Sequence, residues 1–222
     1  MKEIVLDTET TGLSVKDGHR IVEIGCIELN DLLPTKNVFH YYLNPERKVS
    51  EKAFEVHGYS DEFLSDKKKF INIVDDFLNF IKDKKIIIHN AEFDISHLNN
   101  ELSLIGKEKI NKANIVDTLD IARNKFPGSA VSLDALCKRF RIDNYRREKH
   151  TALIDCELLA KVYINLLDQK EPFLNFNNID NNKENENDFE NIDYSKEIII
   201  PTNKELENHK KYLIKEFKKN FF

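Results

Sequence analysis

Three short segments of the sequence carry a set of four carboxylates and one histidine. They hold Asp7 and Glu9 in DTE, Asp94 in HNAEFD, and His150 and Asp155 in HTALID. Mg²⁺ and Mn²⁺ prefer oxygen ligands, and two such ions about 3.5–4 Å apart can stabilise both the attacking and the leaving oxygen at phosphorus. An imidazole, whose pKa is ordinarily about 6.5, is suited to accept a proton from the attacking water. The set therefore predicts a phosphodiesterase that uses two divalent cations, Mg²⁺ or Mn²⁺.

The first two carboxylates follow a run of apolar residues that predicts a buried strand. Ile4–Leu6 leads directly into Asp7. In an extended chain, residues two apart lie on the same face, so Asp7 and Glu9 are expected to point the same way at the strand end. Gly12 follows closely and allows the backbone to turn near a bound ligand.

Helices are expected to position the remaining candidates. Asp94 follows a predicted strand at Ile86–Ile88 and lies at the start of a helix. His150 and Asp155 are five residues apart, which places them about 140° apart on a regular helix. Both side chains cannot face one site from an ideal helix. We therefore expect His150 in the loop before the last helix and Asp155 in its early turns.

The pattern of apolar residues predicts an α/β fold. Three strands that form an antiparallel meander are expected around Ile4–Leu6, Ile21–Leu29 and Val38–Leu43. The elements predicted after them are a helix over Phe70–Ile81, strands at 86–88 and 115–116, a helix after Asp94, helices near 118–125 and 132–140, and a last helix over Ala152–Leu166. This order predicts a mixed sheet with helices packed against it, in a domain that covers residues 1–168.

The composition of the chain changes after this domain. Residues 177–193 are rich in acidic residues and asparagine and almost free of apolar side chains, which predicts a disordered linker over 169–193. In the last segment, residues 194–222, Thr202 and Glu205 fit a capping box at the start of a helix. An amphipathic helix at the end of a linker favours docking on a partner over packing on its own domain.

Charge and cysteine content restrict the class of protein. The net charge is −5, and no basic stripe of the kind that holds long DNA is evident, so the nucleic-acid contact is short or a partner supplies the grip. Cys26, Cys137 and Cys156 are widely spaced within apolar patterns, which predicts reduced core thiols. No apolar run reaches membrane-spanning length and no secretory leader is evident, so the expected location is cytoplasmic, without membrane contact.

The motif segments resemble the DEDDh branch of the DnaQ-like 3′–5′ exonucleases, and within it the proofreading subunits of bacterial replicative polymerases. The segments that carry the resemblance, in the family's order, are VLDTETTGL, FEVHG, IHNAEFD, FPGSAVSLDALCKRF and HTALIDCELLAKVY. A histidine five residues before the last aspartate, instead of a tyrosine four residues before it, is typical of this branch. The resemblance covers about residues 4–168. It implies a ribonuclease-H-like fold: a mixed five-stranded sheet with flanking helices, here followed by a flexible C-terminal tail.

The resemblance also implies roles for the acidic residues. Asp7, Glu9 and Asp155 correspond to metal ligands that also hold the substrate. Asp94 corresponds to the more distant acid that helps to seat the second metal ion.

The two histidines and one departure from the family pattern concern the DNA end. His150 corresponds to the general base, and His57 to a contact with the terminal nucleotide. Lys52 stands where the family usually has a glutamate near the 3′-hydroxyl, which puts that contact in doubt.

The same resemblance implies a substrate and partners. The substrate would be a DNA 3′ end, hydrolysed to 5′-mononucleotides. Residues 194–222 would bind the polymerase subunit, Gln169–Phe173 resembles a weak sliding-clamp peptide, and a further small subunit is a candidate partner. Two alternatives remain. One is a stand-alone exoribonuclease of the same branch, RNase T-like or oligoribonuclease-like; the other is a bridging subunit with weak or lost catalysis.

Overall fold

The computed structural model describes residues 2–145, 149–167 and 201–217, and the chain divides into two units, Met1–Phe173 and Leu174–Phe222. In the described part of the first unit the strands form one five-stranded sheet. They are β1 (Lys2–Thr10), β2 (Ile21–Asn30), β3 (Leu33–Tyr42), β4 (Lys85–Ile88) and β5 (Ile115–Asp117). The strand order is β3-β2-β1-β4-β5, with β2 antiparallel to β1 and β3, and with β4 parallel to β1 and β5. This mixed sheet confirms the predicted fold class.

Seven α-helices of the first unit are described. They are α1 (Glu51–His57), α2 (Asp61–Ser65), α3 (Val74–Ile81), α4 (Ala91–Leu104), α5 (Thr118–Lys125), α6 (Leu133–Phe140) and α7 (Ala152–Leu166). Short 3₁₀ turns cover Val15–Asp17, Phe70–Asn72 and Lys112–Asn114. Within the described residues, no helix is both long and apolar enough to cross a membrane.

The core lies on both faces of the sheet because side chains of a strand alternate between faces. In β1, Ile4 and Leu6 face α3 and α4, whereas Val5 faces α5, α6 and α7. Cys26, Cys137 and Cys156 are buried and form no disulfide among the described residues, as expected of reduced core thiols. Burial on both faces leaves the ends of the strands as the place where polar side chains can gather.

Several element boundaries differ from the sequence expectation. The helix expected over Phe70–Ile81 begins at Val74, because Ile73 has a φ of −121° and Phe70 lies in a separate 3₁₀ turn. Strand β3 starts at Leu33, five residues before the expected start, and its early part is exposed at the edge of the sheet, so it lacks an alternating pattern. The short helices α1 and α2 were not predicted.

In the second unit, helix α8 (Asn203–Phe217) begins at the expected capping box. The Glu205 carboxylate accepts hydrogen bonds from the Thr202 backbone N–H and hydroxyl, each at 2.8 Å. Leu206 and Tyr212 are exposed on this helix. The predicted domain limit at residue 168, the linker 169–193 and the clamp-like peptide Gln169–Phe173 lie outside the described residues and stay predictions.

Candidate active site

The site forms at one edge of the sheet, where parallel strands β1, β4 and β5 all end. The carboxyl ends of such strands, with the helices that follow, are a usual place for a binding cleft. A cavity of about 580 Å³ opens there. Its lining includes the five predicted residues of the acidic set, namely Asp7, Glu9, Asp94, His150 and Asp155. The first two lie in β1 and are partly exposed.

Asp94 lies in the first turn of α4 and is held from strand β1. The Thr8 backbone N–H and hydroxyl both donate to Asp94 Oδ1, at 3.0 and 2.7 Å. Asp94 is almost fully buried, and this burial raises its pKa to about 7 in spite of the two hydrogen bonds from Thr8, which favour the charged form. Both hydrogen bonds from Thr8 go to Oδ1, and Asp94 lines the cavity.

The start of α4 is fixed by the end of β5. Asn90 adopts a left-handed conformation with a φ of 69°. The Asp117 carboxylate accepts hydrogen bonds from the backbone N–H groups of Asn90 and Ala91, at 3.0 and 2.9 Å. These bonds satisfy amide groups that have no partner at a helix N-terminus, and they place the first turn with Asp94 at the cavity.

His150 and Asp155 occupy the positions that their spacing predicted. His150 is in the loop before α7, Thr151 caps the helix, and Asp155 lies in the first turn. The distance from His150 Nδ1 to Asp155 Oδ2 is 3.4 Å. The His150 side chain is 44% exposed and that of Asp155 is 4% exposed, so a partly exposed imidazole lies beside a buried carboxylate.

Three of these residues converge most closely. Potential ligand atoms of Glu9, His150 and Asp155 all lie within 4.8 Å of one another. Asp7 lines the same cavity, and its pKa is raised well above the usual range, first by loss of hydration and then by the carboxylates of Asp94 and Glu9. The cavity therefore concentrates negative charge.

His57 lies in an adjoining cavity of about 610 Å³ that shares Glu9 and Phe93 with the first. The Tyr59 backbone N–H donates to His57 Nδ1 at 3.0 Å, so the proton is on Nε2, which faces the Thr10 carbonyl at 3.3 Å. Burial lowers the pKa of His57. Both nitrogens are thus engaged within the protein.

The exonuclease (RNase T) family model matches residues 4–163 of the chain. The chain belongs to this exonuclease family. A protein named DNA polymerase III subunit epsilon from Rickettsia conorii is 48% identical over 96% of this chain and 95% of its own length. The protein of the same name from Salmonella typhimurium is 47% identical over 73% of this chain and 70% of its length. Together these relationships make the chain a 3′–5′ exonuclease of the epsilon type.

Solved structures of other exonucleases share the fold. Exonuclease X in complex with 5′ overhanging duplex DNA matches with a TM-score of 0.60 and 24% identity over 74% of this chain and 90% of that one. The nuclease domain of 3′hExo, a DEDDh family member, matches with a TM-score of 0.65 and 18% identity over 75% and 92%. The neighbours confirm the ribonuclease-H-like exonuclease fold that was expected.

Exonucleases of this family use divalent metal ions, and the donors of this chain fit such ions. The cavity offers carboxylate oxygens, which hard cations prefer. Loss of hydration, and then repulsion from the neighbouring carboxylates, raises the pKa of Asp7, and a bound cation would favour its charged form. The donor set and its electrostatics are therefore those of a cation site.

Several polar residues of the site were not singled out from the sequence. Thr8 and Asp117 orient Asp94 and the start of α4, and Arg123 lines the main cavity. The strand-ending position of Asp117, after Ile115 and Val116, is a signal that was present in the sequence. No local pattern marks Arg123.

Proposed function

We propose that this exonuclease is the proofreading subunit of DNA polymerase III and removes mispaired nucleotides from DNA 3′ ends as 5′-deoxynucleoside monophosphates. The observation that carries the proposal is the convergence of Glu9, His150 and Asp155 in the cavity that Asp7 and Asp94 also line. The similarity to epsilon subunits over 95% of the Rickettsia conorii protein supports the replicative assignment over RNA trimming.

Two divalent cations, Mg²⁺ or Mn²⁺, complete the proposed site. Asp7, Glu9 and Asp155 would hold them, and Asp94 would help to seat the second through the oxygen that Thr8 leaves unused. When bound, such ions polarise the phosphate and lower the pKa of water. The fixed position of Asp94 under Thr8 keeps the coordinating oxygen oriented before substrate arrives.

His150 is the proposed general base. Its half-exposed imidazole can accept a proton from the attacking water at the cavity and pass it to solvent. The water oxygen forms a bond to the phosphorus of the terminal phosphodiester, and the bond from phosphorus to the O3′ of the preceding nucleotide breaks. That oxygen takes up a proton, which leaves a new 3′-hydroxyl on the shortened strand.

The terminal nucleotide is proposed to occupy the cavity beside His57. This cavity adjoins the acidic one through Glu9 and Phe93, so a nucleotide there places its 5′ phosphate near the acidic residues. His57 would contact the nucleotide through its ring edge, since its nitrogens are engaged. Lys52 at the cavity wall replaces the family's glutamate and would bring a positive charge to the sugar. Asp7, Glu9 and Asp155 would bind the scissile phosphate through the cations.

The proposed partners follow from the net negative charge of the chain. A net charge of −5 provides little electrostatic attraction to the phosphates of duplex DNA, so the polymerase would hold the template. Residues 194–222, with the exposed Leu206 and Tyr212, would bind the polymerase III alpha subunit, and Gln169–Phe173 the sliding clamp. A theta-like small subunit is a further candidate, and the location of this assembly would be the cytoplasm.

A nuclease assay with a matched pair of variants tests the site. Purified protein with Mg²⁺ should shorten a labelled DNA strand stepwise from its 3′ end, and chelation with EDTA should stop the reaction. Asp155→Ala should abolish the activity, whereas Glu157→Ala, which removes an exposed carboxylate from the same helix, should leave it unchanged. Activity that survives Asp155→Ala would overturn the proposed metal site.

A further inference from the structure

Glu23 is a fully buried carboxylate in β2 that has partners in three other parts of the fold. Its Oε1 lies 2.7 Å from His40 Nε2 in β3. Its Oε2 accepts hydrogen bonds from the Tyr59 hydroxyl at 2.8 Å and from the backbone N–H of Ala152 at 2.9 Å. A buried charged group is costly unless its hydrogen bonds are satisfied, so this set of bonds strongly favours one arrangement of the partner groups.

Two of these partners adjoin proposed functional residues. Ala152 is the first residue of α7 and follows His150 by two positions. Tyr59 follows α1 and stacks on His57 with a centroid distance of 4.8 Å and an interplanar angle of 23°. One carboxylate therefore contacts both the segment that carries the proposed base and the segment that borders the nucleotide cavity.

A second set of contacts joins the same two segments directly. The His150 backbone N–H donates to the Val56 carbonyl at 3.1 Å, and Lys149 Nζ donates to the Glu55 carbonyl at 2.6 Å. The loop with His150 is thus held against the last turn of α1 on one side. Through Ala152 it is also tied to Glu23 on the other.

We infer that Glu23 is a positioning residue that sets the location of the His150 loop relative to the nucleotide cavity. The inference rests on the proposed function, because it takes His150 as the general base. A displacement of a catalytic group by about 1 Å can lower the rate about 100-fold. The position of the backbone that carries His150 therefore matters, even though the imidazole itself is half exposed. Glu23 does not line either cavity and acts through the loop.

The contrast with Glu28 separates positioning from general stability. Glu28 lies in the same strand and is also buried. Its partners, all far in sequence from His150, are Lys84, Lys2, Asn37 and Thr35. Its loss should weaken the fold without disturbing the loop. Glu28 is therefore the matched control.

The principal test compares Glu23→Leu with Glu28→Leu on a labelled DNA strand, with Mg²⁺, in the full chain and below both melting temperatures. We expect Glu23→Leu to lower kcat by about 10- to 100-fold with KM changed less than about threefold, because the altered group orients the base and does not bind DNA. Glu28→Leu should retain kcat within about threefold. Equal kcat losses in the two variants would overturn the inference.

A conservative replacement gives a second readout. In Glu23→Gln, the amide oxygen can accept from Tyr59 and Ala152, and the amide nitrogen can donate to a neutral His40. We expect it to recover most of the kcat lost in Glu23→Leu, to at least about a third of the wild-type value. A glutamine variant as impaired as the leucine variant would contradict positioning by these hydrogen bonds.

A milder pair keeps the test decisive if Glu23→Leu does not fold. Tyr59→Phe removes one hydrogen bond to Glu23, and Tyr163→Phe removes a matching bond between a buried tyrosine and Glu3, at 3.2 Å. Tyr59→Phe should lower kcat by about three- to tenfold and Tyr163→Phe should not. Equal kcat in these two variants would count against the inference.

His150→Ala distinguishes failure of the inference from failure of the proposed function. If His150→Ala keeps wild-type kcat, the proposed base is wrong, and the role given to Glu23 falls with it. If His150→Ala loses activity while Glu23→Leu keeps it, the proposed function stands and the positioning role alone is wrong.

Discussion

Single side chains determine the chemistry of this site through contacts that cross long stretches of sequence. Asp94 receives two hydrogen bonds from Thr8, 86 residues away, and Ala152 donates to Glu23 across 129 residues. The spacing of His150 and Asp155 was enough to predict their placement, because both belong to one loop and helix. No local pattern could predict the bonds of Thr8 or Glu23, since their partners meet only when the sheet forms.

The role of His150 predicts a selective loss of activity. We expect His150→Ala to lower kcat by about 10²- to 10⁴-fold, because it removes a general base, while the melting temperature changes little because the side chain is half exposed. His209→Ala, an exposed histidine in α8, is the control and should retain kcat. Steady-state kinetics on labelled DNA and thermal unfolding make the comparison. Equal kcat in both variants would contradict the assignment.

Glu28 predicts a pH-dependent contribution to stability. Hydrogen bonds from Lys84 and Asn37 lower the pKa of Glu28 to about 2, below its value in the unfolded chain. The charged form therefore stabilises the fold above about pH 4.5, and this contribution is lost as the pH falls towards 2. Glu28→Gln should lower the free energy of unfolding by about 1–2 kcal/mol at pH 7, a discounted figure because Lys2 is exposed.

Urea denaturation between pH 3 and pH 7 measures this difference. The difference in unfolding free energy between wild type and Glu28→Gln should become smaller as the pH falls. Glu108→Gln, which alters an exposed glutamate, should change the free energy of unfolding by less than about 0.5 kcal/mol at pH 7. A gap that stays constant down to pH 3 would contradict the ion-pair explanation.

At the scale of helices and strands, the site depends on how closely α7 approaches β2. A Cβ atom on Gly25 would lie 2.7 Å from the carbonyl carbon of Ala152 and 2.8 Å from the backbone nitrogen of Leu153. Glu23 lies two residues before Gly25, so the same stretch of β2 both contacts and hydrogen-bonds the start of α7. The position of His150 therefore depends on a glycine in a strand.

Gly25→Ala should push the start of α7 away from the sheet. We expect a loss of about 1–3 kcal/mol in unfolding free energy, together with a kcat lowered by more than tenfold, because backbone atoms of α7 must shift. Gly106→Ala is the control. It imposes a left-handed φ of 70° on alanine at an uncrowded site, so it should cost about 1 kcal/mol yet leave kcat unchanged. The unfolding free energy and the kcat of both variants, measured by urea denaturation and steady-state kinetics, test this expectation.

The elements that sequence patterns predicted are those with a run or a periodic array of apolar residues, including the short strands β4 and β5. Strands β1 and β2 carry continuous runs of buried residues, and helix α7 buries residues along most of its length. Helices α1 and α2 have seven and five residues, too few for a periodic signal, although Ser50 and Ser60 cap them as N-terminal serines do. Helix α1 is terminated by Gly58, which adopts a left-handed conformation and donates its backbone N–H to the Phe54 carbonyl.

At the scale of the whole chain, we assign catalysis to the first unit and association with the polymerase to the second. A chain that lacks residues 170–222 should trim free DNA strands at the wild-type rate, because the five site residues all lie before the deletion. It should no longer co-elute with the polymerase III alpha subunit in size-exclusion chromatography. The full-length Asp155→Ala variant is the control and should co-elute normally. A truncated chain that still binds alpha would show that the nuclease domain carries the interface.

The central claim is that this exonuclease proofreads DNA, and its most direct test is a comparison of primer ends. Purified protein with Mg²⁺ would be given matched and 3′-mispaired primer–templates beside an RNA oligomer, and the products separated on a gel. We predict that the mispaired nucleotide is removed about tenfold faster than the matched one. The loss of one base-pair step lowers the free-energy cost of fraying the primer end by about 1.4 kcal/mol. Equal rates on the two primers, or preferential shortening of the RNA, would contradict proofreading.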